Sequence, residues 1–216
     1  MAFEATGVFE ISPAHSDTII TDMPSTLIAP PAEFAAVPRK KWTREECAQL
    51  GAILDLHQYE LIDGELIKKM GKNHPHVWTL MLLAKWLGSI FPDFTVGQEL
   101  PIDVRPEDNP SSDPEPDVVV LTKPYNELVP RPKATDVRLV VEVSDSTLAF
   151  DLTQKAGLYA RAAIAEYWVL DVIGRRLIVH RRPLDGRYRD VMAYAESESI
   201  APLAAPESPV MVGTLL

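Results

Sequence analysis

The segment Leu139-Val140-Val141-Glu142-Val143-Ser144 is a continuous aliphatic run interrupted by one acid. A short run with no polar alternation is the signature of a strand covered on both faces in the middle of a sheet. An ionised, unpaired carboxylate in such a strand is costly, so Glu142 must find a cation, a metal ion or a proton. Two further runs share this character. Val118–Leu121 follows Pro116-Asp117, and Tyr167–Leu170 follows a stretch from Asp151 to Ala162 that reads as helix. Buried strands interleaved with helices indicate an α/β (α+β) domain with a mixed central sheet flanked by helices.

Working outward from these runs, Leu177–His180 pairs with Tyr167–Leu170 across Gly174, and Tyr188–Ala195 adds a further strand. Upstream, residues 105–115 form a proline- and acid-rich loop. Phe94 to Val104 reads as a strand interrupted by Pro101, hence an edge or a bulge. Pro75 suits the first turn of a helix reaching Leu87, where Gly88 and Pro92 end it. Val77, Leu80, Met81, Ala84 and Leu87 make its buried stripe. In Tyr59-Glu-Leu-Ile-Asp-Gly-Glu-Leu-Ile-Lys68, Asp63-Gly64 suits a two-residue type I′ turn between alternating strands. Thr43, with Glu46 three residues on, starts a helix to about Leu54 through a capping box. The apolar end, Ser208–Leu216, docks on the body. Residues 1–40, rich in proline and small residues and without period, read as a disordered leader; residues 41–216 read as one domain.

Composition narrows the class. The 216 residues suffice for a core without disulfide staples, and a single cysteine, Cys47, excludes both an internal disulfide and a cysteine zinc cluster. No segment is long and apolar enough for a membrane span, and the start lacks a signal-peptide pattern, so a cytoplasmic location is the default. The net charge of −10 gives no support for a nucleic-acid partner. Residues 1–37 carry Glu4, Glu10, Asp17, Asp22 and Glu33 with no Lys or Arg, leaving 26 acids against 21 bases in the remainder.

The chemistry-bearing residues are Asp117 at the head of one buried run, Glu142 inside the next, and Asp151 and Lys155 on the helix after it. Two carboxylates on neighbouring strands suit a hard ion such as Mg²⁺, which accepts one or two of them and keeps several waters. Lys155 can then orient the attacking water and stabilise charge on a phosphate. Plainer roles are open to each. Asp117 can be a turn residue, Glu142 the partner of a base, Asp151 a helix N-cap and Lys155 its i+4 ion-pair partner. His74 and His76 stand two apart at a helix start and do not face one way. Trp78, Trp86 and Trp168 are core candidates. Arg175, Arg176, His180, Arg181, Arg182, Arg187 and Arg189 form either a solvated face or a DNA footprint.

The order Tyr59-Glu-Leu-Ile-Asp-Gly-Glu65, His76, Pro116-Asp117, Val141-Glu-Val-Ser144, Asp151-x-x-x-Lys155-x-x-x-Tyr159 and Glu166-Tyr-Trp-x-x-Asp171 resembles the Uma-type restriction endonucleases, once a domain of unknown function, of the PD-(D/E)XK superfamily. The resemblance spans roughly residues 43–195. It implies the restriction-endonuclease-like fold with an N-terminal hairpin extension, and hydrolysis of DNA phosphodiester bonds with Mg²⁺ or Mn²⁺. Asp117, Glu142 and the backbone carbonyl of Val143 would be the metal ligands. Asp117, Glu142 and Lys155 would form the catalytic set, with Glu65, Asp151 and Ser144 as accessory residues. The superfamily lysine belongs two residues after Glu142, where this chain has Ser144; the resemblance moves that role to Lys155. It also allows a homodimer. The rival reading is a non-catalytic interaction or regulatory module that retains the fold.

Overall fold

The computed structural model describes residues 39–69, 71 and 73–216. The expected leader lies outside them apart from Arg39 and Lys40. Ten strands and four α-helical segments follow in the order α1 (Arg44–Leu50), β1 (Tyr59–Ile62), β2 (Glu65–Lys68), α2 (His74–Ile90), β3 (Val96–Gln98), β4 (Val118–Leu121), β5 (Val137–Ser144), α3 (Leu148–Phe150), α4 (Ala156–Arg161), β6 (Glu166–Asp171), β7 (Arg176–Leu184), β8 (Arg187–Ala195), β9 (Ser199–Ile200) and β10 (Val210–Met211). A π-helical turn, Asp151–Lys155, joins α3 to α4.

Six strands form one sheet in the order β3-β4-β5-β6-β7-β8. Every neighbour is antiparallel except β5 and β6, which run parallel through the α3–α4 crossover. The apolar runs at Val118–Leu121 and Leu139–Val143 become β4 and the centre of β5, buried on both faces as expected. One face of the sheet packs Val119, Val140, Tyr167, Val169 and Ile178 against Leu158 and Tyr159 of α4 and Ile62 of the hairpin. The other packs Val118, Val141, Val143, Trp168 and Leu177 under Leu80, Leu83 and Leu87 of α2, with Val210, Val212 and Leu215 of the C-terminal stretch completing the layer. The closing apolar segment therefore docks as its composition suggests.

The hairpin forms with Ile62 opposite Glu65, and both turn residues take positive φ, 47° at Asp63 and 79° at Gly64. These are the values a type I′ turn requires, and glycine meets them at no steric cost. Thr43 caps α1 with Glu46 in a reciprocal box, but the helix stops at Leu50, short of Leu54. Phe94 to Val104 yields only the three residues of β3; beyond Pro101 the chain keeps Ile102 and Val104 buried in non-ladder conformation. The strand ends where Glu99 turns to a φ of 48°, and Pro101 beyond it has no N–H with which to resume the ladder. Helix α2 starts under Asn73 with Pro75 in its first turn, and runs through Gly88 to Ile90. Its buried stripe is His76, Thr79, Leu80, Leu83 and Leu87, while Val77 and Met81 face outward. The stripe is thus rotated toward a polar start, because His76 is drawn to the sheet edge described next.

The two acids of Glu166-Tyr-Trp-x-x-Asp171 have structural work. Glu166, fully buried, accepts from Arg181 Nη2 at 2.6 Å, Trp168 Nε1 at 2.9 Å and the Leu203 amide at 2.7 Å, tying β6, β7 and the C-terminal stretch together. Asp171 accepts from the Gly174 amide at 2.7 Å and from Arg176 Nε at 2.9 Å, closing the β6–β7 turn.

Candidate active site

The parallel register between β5 and β6 and the short β4 leave a step in the sheet at Asp117. Val118 pairs with Val141, so two residues further the ladder would set Pro116 against Val143. Backbone groups of successive strand residues point to alternate sides. The Ser144 carbonyl accepts from the Val172 amide at 2.9 Å on the β6 side, so the N–H and C=O of Val143 face the β4 side. There Pro116 has no N–H to give. The Val143 amide donates instead to Asp117 Oδ2 at 2.8 Å. The Pro-Asp pair therefore ends the ladder, places a carboxylate in the gap and leaves the Val143 carbonyl aimed into it without a ladder donor from Pro116.

Asp117 and Glu142 fall on the sheet face that carries α3 and α4. Glu142 is 3% exposed; its Oε1 accepts from Lys155 Nζ at 2.9 Å and from the Tyr159 hydroxyl at 3.0 Å, and its Oε2 lies 3.5 Å from the Asp117 amide. Lys155 is 6% exposed, and its Nζ also pairs with Glu60 Oε2 at 2.9 Å. Glu60, on β1, takes the Glu115 amide on its other oxygen at 2.7 Å. The π turn brings Asp151 and Lys155 to the same cleft: the Ala156 amide donates to the Asp151 carbonyl, five residues back, and both side chains are buried. Thr147 donates to Asp151 Oδ2 at 2.6 Å, and the Ser144 hydroxyl lies 3.3 Å from that of Thr147. His76 Nε2, buried, stands 3.5 Å from Asp117 Oδ1, at the outer limit of a hydrogen bond.

These groups line a cleft of about 120 Å³ with more carboxylates than bases. Burial pushes Glu142 well above the usual carboxylate range, and the charges of Asp117, Asp151 and Glu60 add to this against the opposing pull of Lys155. Burial also raises Asp151, with Lys155 and the Thr147 hydroxyl opposing. Asp117 goes the other way: burial pushes it up, but His76, the Val143 amide and Lys155 outweigh it and hold it below the ordinary value. Burial works against the Lys155 charge, yet Glu142 and Glu60 hold its pKa above that of a free lysine.

The sequence candidates divide. Asp117, Glu142, the Val143 backbone, Asp151 and Lys155 meet in the cleft. Ser144 supports it from below through Thr147. Asp151 does not cap a helix; it sits inside the π turn, and the ion pairs of Lys155 are to Glu142 and Glu60. Glu65 lies on β2 away from the cleft and pairs with Lys41 at 3.0 Å. Glu60, five residues earlier, occupies the place expected of an accessory acid. In Tyr59-Glu-Leu-Ile it reads as the polar side of an alternating strand, and only the docking of the hairpin buries it. His76 was similarly hidden, since its helix face follows from packing. Five of the six arginines of the run stand in ion pairs: Arg175 with Glu196, Arg176 with Asp171, Arg181 with Glu166, Arg182 with Asp190 and Arg189 with Asp185. Trp168 is core, Trp86 stacks on it at 6.1 Å, and Trp78 is half exposed, a correction to its expected core place. No helix among the described residues is long and apolar enough to cross a membrane.

The architecture is that of a nuclease fold. A crystal structure described as a putative nuclease belonging to DUF820, from Anabaena variabilis, superposes with a TM-score of 0.55 at 16% sequence identity, covering 73% of this chain and 88% of that one. Residues 44–209 match the family Uma2, described as putative restriction endonuclease, and the chain belongs to that family. No curated protein matches the chain.

Proposed function

We propose that the protein is a divalent-metal-dependent endonuclease that hydrolyses DNA phosphodiester bonds, with Asp117, Glu142 and the Val143 carbonyl as ligands for Mg²⁺ or Mn²⁺. The observation that carries this reading is the gap in the β4–β5 ladder, where one carboxylate, one carbonyl and a second buried carboxylate meet beside a lysine. Among the described residues no three His, Cys, Asp or Glu side chains are grouped to hold a metal ion. Two carboxylates and a carbonyl are a smaller, all-oxygen set, and they fit Mg²⁺, which retains several waters. Such an ion, when bound, supplies Lewis-acid chemistry, polarising a phosphoryl oxygen and favouring hydroxide at neutral pH.

The chain's own groups do the rest. Lys155 Nζ, 2.9 Å from Glu142, orients the attacking water and offsets the negative charge that develops on the phosphate. Tyr159 donates to the same Glu142 oxygen and fixes that side chain, while the Val143 amide fixes Asp117. Lys68, exposed on the rim, is the cation of the cleft best suited to meet a phosphate; Lys69 beside it is held by Glu115 at 2.6 Å, and Arg181 and Arg182 of β7 are likewise taken by acids.

Incubation with supercoiled plasmid and millimolar Mn²⁺ tests this. The wild-type protein is expected to nick or linearise the DNA, and Asp117→Ala to lose at least about a hundredfold in rate. Equal cleavage by both refutes the assignment. Cleavage by neither supports the rival reading of a non-catalytic module.

A further inference from the structure

In this fold the catalytic lysine and the cation need the same carboxylate, and their charges repel. Lys155 Nζ lies 2.9 Å from Glu142 Oε1, and a cation on Glu142 would weaken that contact and push the ammonium away. Lys155 has a second anchor on β1. Glu60 Oε2 is also 2.9 Å from Nζ, and Glu60 is itself held by the Glu115 amide at 2.7 Å. Glu60 is 7% exposed and sits on the hairpin, an element outside the six-stranded sheet.

We propose that Glu60 is a positioning residue: it tethers Lys155 in the cleft while Glu142 is engaged by the cation, so that the hairpin is part of the active site. The inference rests on the metal-dependent reading above. Without Glu60, Lys155 has Glu142 as its remaining close partner and competes with the ion for it. With Glu60 in place the two positive charges are divided between two carboxylates. The hairpin thus serves a role that its distance from β4 and β5 in sequence conceals.

The test is a Mn²⁺ titration by calorimetry on wild type, Glu60→Gln, Lys155→Met and the double variant. Glu60→Gln is expected to weaken Mn²⁺ binding roughly tenfold. In the Lys155→Met background the same change should shift the affinity by about twofold or less. Equal weakening in both backgrounds overturns the tether and makes Glu60 a direct ligand; no weakening in either overturns it as well. If the wild type binds no Mn²⁺, the metal-dependent reading fails and this inference with it, a result distinct from the other two.

A second measurement avoids reliance on Lys155→Met. Acylation of Lys155 by an amine reagent, mapped by mass spectrometry in saturating Mn²⁺, should be slow in wild type and at least about tenfold faster in Glu60→Gln, with Glu60→Asp between them. Equal protection in wild type and Glu60→Gln contradicts the proposal.

Discussion

Lys155→Met is expected to lower the unfolding free energy by about 3–5 kcal/mol at neutral pH, and to reduce metal-dependent cleavage by about 10²–10³-fold. Methionine fills the volume of the lysine stem, so packing against α4 changes little. What is lost is the charge between Glu60 and Glu142, both nearly fully buried and each 2.9 Å from Nζ. Removing one partner of a buried pair leaves the other's desolvation unopposed. The pH dependence gives the sign. Glu142 in the variant is relieved only by taking up a proton, so the deficit should shrink as pH falls below neutrality. In wild type, Lys155 has a raised pKa in the folded state; its stabilising charge is present below the free-lysine value and is lost as pH rises through the folded value. Urea unfolding at neutral and acidic pH reads the variant's deficit, and at alkaline pH the wild type's loss. A loss under about 1 kcal/mol at neutral pH would mean that Lys155 is a surface-like ion pair despite its burial.

Glu142→Gln should separate activity from stability. Cleavage is expected to fall by about 10³-fold, because the amide removes a charge of the proposed cation site. Stability at neutral pH should be unchanged or rise by about 1 kcal/mol. The amide carbonyl can still accept from Lys155 and Tyr159, and what its NH₂ forfeits is the 3.5 Å contact from the Asp117 amide, at the outer limit of a hydrogen bond. In wild type the folded-state pKa of Glu142 is raised, so its favourable protonated form is present below about 4.5 and stability is lost as pH rises through the folded value. The variant lacks that loss, and the gap between the two should widen with pH across this window. A variant that is less stable than wild type throughout would contradict the electrostatic account of the cleft.

Much of this site was legible because its signals are local. A glutamate inside a run of valines, a Pro-Asp at the head of another run and a lysine four residues after an aspartate can each be read from a few positions. What was not legible depends on how distant pieces meet. Glu60 alternates with apolar neighbours as any strand acid would, and only the hairpin's docking on the α4 face turns it inward. The rotation of α2 follows from His76 reaching Asp117, which separates Val77 and Met81 from the core. Arg175 and the arginines of β7 and β8 read as a basic patch because their acids, Glu166, Asp190 and Glu196 among them, come from other turns and strands. Pro101 marked the irregularity before β4 correctly, but sequence alone did not show that β3 would end before it.

The central claim is that the broken ladder at Pro116 leaves Asp117, Glu142 and the Val143 carbonyl as a cation site. The most direct measurement is a calorimetric titration of the wild-type protein with Mn²⁺ in the absence of DNA, beside Asp117→Asn. The account predicts a single Mn²⁺ bound per wild-type chain and binding weakened by at least about a hundredfold in the variant. Undetectable binding to wild type, or equal binding to both proteins, would contradict it.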